Sequence, residues 1–269
     1  MYKKFRLKNF EEEFRKKDTV NYKKYLEIGK KIYENSENVI KKKLEEFLNY
    51  KGELDGNKII EEWFSQGKFD VFFSHSHQDK ELAIAIAGML KEKANLNVFI
   101  DSQVWGYIDD LQKEIDNKYC KKNEKQNLYD YNKRNITTSH VHLMLNKALT
   151  TMIDNCDFFF FLDTENSLKY DSIENRENTH SAWINSEIEI SNIVRIRERG
   201  KRGIYMESDQ SEFRNNAPLF SYDPKFYDFI HLEYAKVKNF NEHSNEHSNE
   251  HSIVEEEFLS MLEKIENGR

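Results

Sequence analysis

The sequence predicts an α/β fold in which helices flank a central parallel β-sheet, preceded by a helical amino-terminal extension. From residue 68 onwards, short apolar runs typical of buried strands alternate with longer segments whose apolar residues recur at helical spacing. The run "CDFFFFLD" is the most apolar in the chain and is typical of a central strand buried on both faces. The 269 residues include only 9 glycines and 2 prolines, which favours long elements joined by polar loops.

Residues 1–66 predict a helical extension. Tyr25 and Leu26 lie three and four residues after Tyr22, and Ile32 and Tyr33 repeat these two positions one heptad later. Because this apolar stripe needs a partner, we expect the extension to pack on the domain that follows it, residues 67–269. A freely solvated helical arm is the alternative.

The domain at 67–269 alternates predicted strands and helices. The strands are expected in "KFDVFFS", "LNVFID", "CDFFFFLD", "KRGIYME" and, as an edge strand, "FYDFIHLEYA". The helices are expected in "HSHQDKELAIAIAGMLKEK", "YIDDLQKEIDNKY", "HVHLMLNKALTTMID", "SAWINSEIEI" and "VEEEFLSMLEKIEN". Residues 121–139 form a polar insertion between two of these elements.

Composition excludes several classes of protein. The formal net charge is −7, with no broad basic excess, which argues against a nucleic-acid-binding protein. No apolar run approaches the roughly 18 residues that span a bilayer, and the amino terminus lacks the apolar core of a signal peptide. Cys120 and Cys156 are the only cysteines, which disfavours a disulfide framework or a zinc site. We therefore expect a cytoplasmic protein that engages neither membrane nor nucleic acid.

A low-complexity repeat, "NEHSNEHSNEHS", occupies residues 241–252. On a helix, His243, His247 and His251 would share one face at a spacing that can bind a transition metal. The other interpretation, which we favour, is a solvated linker expanded by tandem duplication, because the repeat has no apolar setting. We predict no metal site.

Ligands of open parallel sheets bind at the carboxyl ends of the strands. The segments to examine are therefore 74–79, 101–107 and 163–181. The chain contains neither GxGxxG nor GxxxxGK[ST], so the common phosphate-binding loops are not indicated.

Three motifs resemble those of Toll/interleukin-1 receptor (TIR) domains. "FDVFFSHSHQDKELA" is similar to the first strand and loop of that family, "NVFIDSQVWG" to its second strand and loop, and "SAWINSEIEI" to its Trp-x-x-x-Glu helix. The order and spacing agree across residues 68–235, and the resemblance implies a flavodoxin-like TIR fold. Two features depart from the family pattern: the insertion at 121–139, and Ile184 at a position where the family often has cysteine.

The resemblance implies an activity. Bacterial TIR proteins commonly act as NAD⁺ glycohydrolases or cyclases, and many animal members are assembly adaptors. The family's catalytic glutamate maps onto Glu187, four residues after Trp183. NAD⁺ would be a substrate, and no resident cofactor is expected.

Helix geometry distinguishes Glu187 from its neighbour Glu189. At about 100° per residue, Trp183 and Glu187 lie within about 40° of each other, whereas Glu189 points about 160° away from Glu187. Glu187 is thus expected in an apolar, aromatic neighbourhood, where a carboxylate is costly unless it has a partner or a task. The alternative is a glutamate at the rim of a partly buried face, with its oxygens in water.

Six further residues are candidates for binding the substrate. They are Ser74, His75 and Ser76 in the first loop, Asp101 after the second strand, and the aromatic residues Trp105 and Trp183, which could stack on nicotinamide or adenine. For the loop residues, shaping the substrate loop is favoured over the alternative of ordinary turn residues, whereas Asp101 could equally bind a ribose or brace its loop. Asp79 is expected to cap the following helix or to complement its dipole.

The leading hypothesis is an NAD⁺-cleaving TIR enzyme in antiphage defence, which releases an ADP-ribose-type product. That product could be cyclic and could signal to a separate effector protein, as the resemblance to Thoeris-type proteins implies. We expect a homo-oligomer formed through TIR–TIR contacts, and a phage-derived activator is a candidate partner. The competing hypothesis is a non-catalytic TIR module for protein–protein assembly, and a third is another flavodoxin-like nucleotide-binding domain.

Overall fold

The computed structural model describes most of the chain. The described residues are 3–37, 44–64, 68–100, 102–123, 126–173, 176–194, 222–238, 240, 258, 260–262 and 264–265.

The described residues contain nine strands and seven α-helices. The strands are β1 (Lys3–Lys8), β2 (Val71–Ser74), β3 (Val98–Ile100), β4 (Lys121–Asn123), β5 (Gln126–Tyr129), β6 (Phe158–Leu162), β7 (Lys169–Asp171), β8 (Arg176–Asn178) and β9 (Phe229–Glu233). The helices are α1 (Thr19–Glu37), α2 (Gly56–Phe64), α3 (Lys80–Ala94), α4 (Ser102–Ile115), α5 (Tyr131–Asn155), α6 (Ala182–Ile193) and α7 (Tyr234–Lys238). π-Helical turns at Phe10–Lys17 and Asp116–Cys120 and 3₁₀ turns at Leu44–Phe47 and His77–Asp79 complete the list.

Five strands form a parallel sheet in the order β3–β2–β6–β1–β9. Helices cover both of its faces, so the predicted α/β fold class is confirmed and is consistent with a flavodoxin-like fold. Flavodoxin-like folds have the strand order 2-1-3-4-5. The second, first, third and fifth strands of that order correspond to β3, β2, β6 and β9. β1 lies between β6 and β9, in the fourth position.

The side chains of each strand alternate between the two faces, as the pleat requires. On β6, Phe158 and Phe160 join one buried apolar cluster, whereas Phe159 and Phe161 join the cluster on the other side. All five residues of β6 are buried, which confirms the prediction of a central strand.

One face of the sheet, the α1–α3 face, is covered by α1, α3, α7 and the helical residues Phe258 and Leu262. α1 and α3 approach until their backbones touch, because each has a glycine at the crossing. A Cβ on Gly29 would lie 2.0 Å from the carbonyl oxygen of Ile84, and one on Gly88 would lie 2.1 Å from that of Tyr25. No side chain fits between the two helices at this point.

The opposite face, the α5–α6 face, is covered by residues of α2, α4, α5 and α6. Leu145 and Leu149 of α5 and Ile184 and Ile188 of α6 are buried against the sheet in one apolar cluster with Phe72. This face holds α6, on which Glu187 lies.

The amino-terminal segment differs from the prediction of a purely helical extension. α1 and α2 are helical, but Lys3–Lys8 form β1, paired on one side with β6 and on the other with β9. Residues before the predicted boundary at 66 therefore contribute an interior strand and one of the helices that cover the α1–α3 face. The extension is part of the same sheet as the segment 67–269.

The polar insertion at 121–139 is also more regular than predicted. Residues Lys121–Tyr129 contain the antiparallel hairpin β4–β5, and α5 begins at Tyr131 rather than near His140. The Asp130 side chain accepts a hydrogen bond from the backbone N–H of Lys133 and so caps this helix.

Two predicted features, the strand at "KRGIYME" (201–207) and the repeat at 241–252, lie outside the described residues. The predicted edge strand is confirmed as β9, which forms one border of the described sheet. Within the described ranges, none of the helices combines the length and apolar content needed to cross a bilayer.

Candidate functional site

The candidate site lies at the carboxyl ends of β2 and β6. From β2 the chain passes to β3 at one edge and then returns to β6 on the other side of β2. The connections therefore leave β2 and β6 in opposite directions, and ligands of such sheets bind at a switch point of this kind. We call this position between the two strand ends the crevice. Two of the three segments chosen from the sequence, 74–79 and 163–181, border this crevice.

Ser74 and Glu187 meet at the end of β2. The Ser74 hydroxyl donates a hydrogen bond to Oε2 of Glu187 over 2.6 Å, and both residues are 0% exposed. This distance lies at the short end of the range for hydrogen bonds from a hydroxyl group. The bond joins the sheet to the middle of α6.

α6 begins at a side-chain cap and buries one face. The Ser181 hydroxyl oxygen accepts a hydrogen bond from the backbone N–H of Ile184, and Ile184 and Ile188 pack into the apolar cluster beneath. Because Glu187 precedes Ile188, the phase that buries these isoleucines also turns its carboxylate towards the sheet. Glu189 remains partly exposed. The orientation predicted for the two glutamates is confirmed, and the catalytic role of Glu187 stays a prediction.

His75 and Ser76 lie in the loop that follows β2. His75 is buried, with its ring stacked 6.2 Å from the ring of Phe73. Ser76 is partly exposed, and its carbonyl oxygen accepts the hydrogen bond from the backbone N–H of Asp79 that closes the 3₁₀ turn. Both residues therefore help to shape the loop beside Ser74.

Of the two roles predicted for Asp79, capping of the helix is wrong, and complementing the helix dipole stays a prediction. Asp79 stands at the N-cap position of α3, but its side chain makes no capping hydrogen bond. Instead Oδ2 accepts from the Thr164 hydroxyl at 2.5 Å and Oδ1 accepts from the Asn166 amide at 2.7 Å. This buried carboxylate fastens the loop after β6 to the loop after β2, across the mouth of the crevice.

Trp183 lies one helical turn before Glu187, on the side of α6 that faces α5. Its ring packs edge-to-face on His142, with 5.5 Å between the ring centroids. Burial lowers the pKa of His142, which favours the neutral ring. Asp101 and the side chain of Trp105 lie outside the described part of the chain.

A charged cluster that the sequence analysis missed lies at the ends of β1 and β6. The Arg6 guanidinium donates from Nε to Asp163 over 2.8 Å and from Nη2 to Glu177 over 2.6 Å, with its carbon 4.3 Å from the centroid of the Phe226 ring. Burial opposes the charge, but the two carboxylates raise the pKa of Arg6 above its ordinary value. The hydrogen bond from Arg6 lowers the pKa of Glu177.

Lys4 lies on the same face of β1 and is only 4% exposed. Its Nζ donates to Oδ1 of Asn192 on α6 over 3.0 Å and sits 5.1 Å from the centroid of the Phe229 ring. Burial lowers the pKa of Lys4, and the nearby Asp228 partly offsets that effect. The sequence offers only a weak signal for the two cations, a short alternation in "KKFRLK" in which Phe5 and Leu7 are the apolar residues.

The described residues offer little support for metal or cysteine chemistry. No three His, Cys, Asp or Glu side chains among them come together as a metal site. Cys120 and Cys156 are both buried, and burial raises the pKa of the Cys120 thiol, which disfavours a nucleophilic thiolate.

Comparisons of the chain with models of protein families, with curated proteins and with solved structures each return no match. The similarity to TIR domains therefore rests on the three sequence motifs, with the α/β fold class in agreement.

Proposed function

We propose that the protein is a TIR-like enzyme that cleaves the nicotinamide–ribose bond of NAD⁺, with Glu187 as its catalytic residue. The observation that supports this most strongly is the position of Glu187: a fully buried carboxylate, hydrogen-bonded to Ser74, at the crevice between β2 and β6. A buried carboxylate in such a crevice is a candidate for function on physical grounds alone. The resemblance of the protein's Trp-x-x-x-Glu motif to that of TIR domains suggests which reaction it catalyses, the cleavage of NAD⁺.

The proposed reaction needs one anionic group rather than an acid–base pair. The bond between ribose C1′ and the nicotinamide nitrogen breaks, and its electron pair leaves with nicotinamide, which becomes neutral. The ribose develops oxocarbenium character, as in glycoside hydrolysis. The Glu187 carboxylate would stabilise that positive charge, most effectively where water is excluded. Water then adds to C1′ and loses a proton, or a nitrogen of the adenine closes a cyclic product.

Because the carboxylate of Glu187 is fully buried, the crevice must open before NAD⁺ can reach it. The segments that would have to move are the loops after β2 and β6, which Asp79 joins through Thr164 and Asn166. We propose that assembly into an oligomer, or an activating partner, supplies this opening. A product that signals to a separate effector in antiphage defence belongs to the same proposal.

The burial of Glu187 also supports a second hypothesis, a non-catalytic TIR-like module for protein–protein assembly. In that case the Ser74–Glu187 hydrogen bond serves only to join α6 to the sheet. The two hypotheses predict different results for NAD⁺ turnover, since the assembly module would bind partners without releasing nicotinamide.

The deciding experiment measures nicotinamide release from NAD⁺ by the purified protein over a range of protein concentrations, with and without a crowding agent. Glu187→Gln keeps the shape of the side chain and can still accept a hydrogen bond from Ser74, but it removes the charge. We expect this variant to lose at least about 100-fold in rate because the charge stabilises the transition state.

Glu189→Gln is the matched control, since it removes the same charge from the same helix at a partly exposed position. Its rate is expected to stay within about twofold of wild type, and thermal unfolding should show both variants folded. Equal rates in the wild type and in Glu187→Gln would contradict the catalytic assignment. Absence of release by the wild type under every condition would favour the assembly module.

A further inference from the structure

α6 is attached to the sheet at three points. At its middle, Glu187 bonds to Ser74 of β2. At its end, Asn192 accepts a hydrogen bond from Lys4. Just before its start, Glu177 of β8 accepts one from Arg6. Two of the three attachments therefore come from β1.

The connection from Arg6 to the start of α6 is short. The side chain of Glu177 accepts a hydrogen bond from Arg6. Two residues later, Thr179 and Tyr222 form two backbone hydrogen bonds, of 2.9 Å and 2.8 Å. Two residues further, Ser181 caps the helix. Because this segment is short and held by hydrogen bonds, the position of Glu177 determines where α6 begins.

Cations are unusual in the middle of a parallel sheet, whose strands are normally apolar on both sides. Lys4 and Arg6 are 4% and 6% exposed, and removing charges from water is costly even when they are paired. Apolar side chains of similar volume would stabilise the sheet at least as well. The charged groups instead provide hydrogen bonds of defined direction, since the planar guanidinium of Arg6 holds Asp163 and Glu177 in one fixed geometry.

We infer that β1 positions the catalytic helix, with Arg6 and Lys4 as positioning residues that hold α6 so that Glu187 faces the crevice. The inference rests on the proposed function for its effect on catalysis. Neither residue is assigned to contact the substrate. Each acts through another group, Arg6 through Glu177 and Lys4 through Asn192.

The kinetic test compares Arg6→Met with Lys8→Met. Lys8 lies two residues further along the same strand, on the same face, and is more exposed. It approaches Asp163 at 3.8 Å and acts on Glu177 more weakly than Arg6 does. Both substitutions remove one positive charge. We expect Arg6→Met to lower kcat for NAD⁺ cleavage at least about 10-fold with KM within about twofold, because a displaced group loses transition-state contact. Lys8→Met should change kcat less than about twofold.

Two milder variants keep the test decisive if Arg6→Met does not fold. Arg6→Lys retains the charge but not the planar fork, and Glu177→Gln retains the size of its side chain but not the charge. Each should lower kcat by about 3- to 10-fold, and their combination should lower it no further than the stronger single variant, since both act on one contact. Equal kcat in all variants and the wild type would overturn the inference.

Hydrogen exchange supplies a measurement that does not depend on NAD⁺ cleavage. In Arg6→Met or Arg6→Lys, amides of 169–178 and of α6 should exchange at least about 10-fold faster than in wild type, whereas those of α3 keep their wild-type rates. A uniform acceleration of α3 and α6 would show general destabilisation and overturn the positioning role, as would unchanged exchange in α6. If the wild type releases no nicotinamide, the proposed function fails, while the exchange rates still decide whether β1 holds α6.

Discussion

On the α1–α3 face the covering helices meet each other through glycines, whereas on the α5–α6 face a helix is attached to the sheet through charged and hydroxyl side chains. Gly29 and Gly88 bring two backbones into contact on the first face. Ser74 and Lys4 bond to α6 on the second. At these contacts the α1–α3 face depends on steric fit, whereas the α5–α6 face adds directional hydrogen bonds to its apolar packing.

The difference indicates which face carries function. Close apolar packing stabilises a fold, since it removes surface from water and leaves no polar group unpaired. Buried polar groups cost free energy unless they are well paired, so their concentration on one face points to a requirement other than stability. The α5–α6 face holds Glu187, Lys4 and Arg6 in the same buried layer, which agrees with the proposed place of the reaction.

The largest effect on stability is expected at the helix crossing. Gly88→Ala places a methyl group 2.1 Å from the carbonyl oxygen of Tyr25, so α1 must move away from α3. We expect the free energy of unfolding, measured in urea, to fall by about 3 kcal/mol, at the upper end of the usual range for an overpacked site. The NAD⁺ cleavage rate of the protein that remains folded should stay unchanged, because Glu187 lies on the other face.

Gly56→Ala is the control for this variant. The nearest atom to a Cβ at Gly56 is the sulfur of Met144, at 3.3 Å, and that side chain can adjust. Its effect on the free energy of unfolding should stay below about 1 kcal/mol. A similarly small change in Gly88→Ala would contradict the close approach of the two helices.

A moderate effect on stability with a clear effect on activity is expected for Ser74→Ala. The substitution removes the hydroxyl that donates to Oε2 of Glu187, and loss of a hydrogen bond to a buried charged group costs about 2 kcal/mol. We also expect NAD⁺ cleavage to slow by about 10-fold as the carboxylate loses its fixed position. Urea unfolding and nicotinamide release measure the two effects.

Ser191→Ala sharpens this prediction, because Ser191 is also buried on α6 but its hydroxyl donates only to the carbonyl oxygen of Ile188 in the same helix, over 2.7 Å. It should lose less than about 1 kcal/mol and keep its cleavage rate. Equal behaviour of the two serine variants would show that the Ser74–Glu187 bond has no special role.

The smallest effect concerns a polar contact on the α1–α3 face. Burial would raise the pKa of Asp18, but hydrogen bonds from Lys238, Asn21 and Tyr234 lower it to about 2. The folded pKa lies below the ordinary value near 4, so Asp18 contributes stability above about pH 4 and loses that contribution as the pH falls towards 2.

Thermal unfolding of Asp18→Asn should therefore show a lower midpoint than wild type at pH 6, by a few degrees, and the gap should narrow at pH 2.5. Because one exposed-edge contact between α1 and α7 is involved, NAD⁺ cleavage at pH 7 should be unaffected. A gap that stays constant from pH 6 to pH 2.5 would contradict the lowered pKa.

Much of the sheet could be predicted because its strands carry a local signal. The four phenylalanines of β6 leave few alternatives to a buried strand, and the runs at β2, β3 and β9 are apolar enough to stand out. Helix phase alone separated Glu187 from Glu189, since the burial of Ile184 and Ile188 fixes the rotation of α6.

β1 could not be predicted in the same way. Four of the six residues in its sequence, "KKFRLK", are basic, which is typical of a solvated terminal arm, and the partners that make it an interior strand lie far along the chain. Asp163, Glu177 and Asn192 supply the partners that allow Lys4 and Arg6 to be buried. Such ion pairs have no sequence spacing that would reveal them. Asp79 was misjudged for the same reason, because its partners Thr164 and Asn166 follow a different strand.

The place of β1 in the sheet also sets an order for folding. A chain is synthesised from its amino end, so β1 emerges before both of the strands that flank it, which begin only at Phe158 and Phe229. Pairings between such distant segments form slowly, because closing a long loop costs conformational entropy before any contact can offset it. Before Asn192 has been synthesised, Lys4 lacks its partner on α6. Before β9 has been synthesised, β1 lacks one of its two neighbouring strands. The candidate site is therefore completed among the last parts of the molecule, and a truncated chain that ends before β9 would carry Glu187 without a finished sheet beneath it.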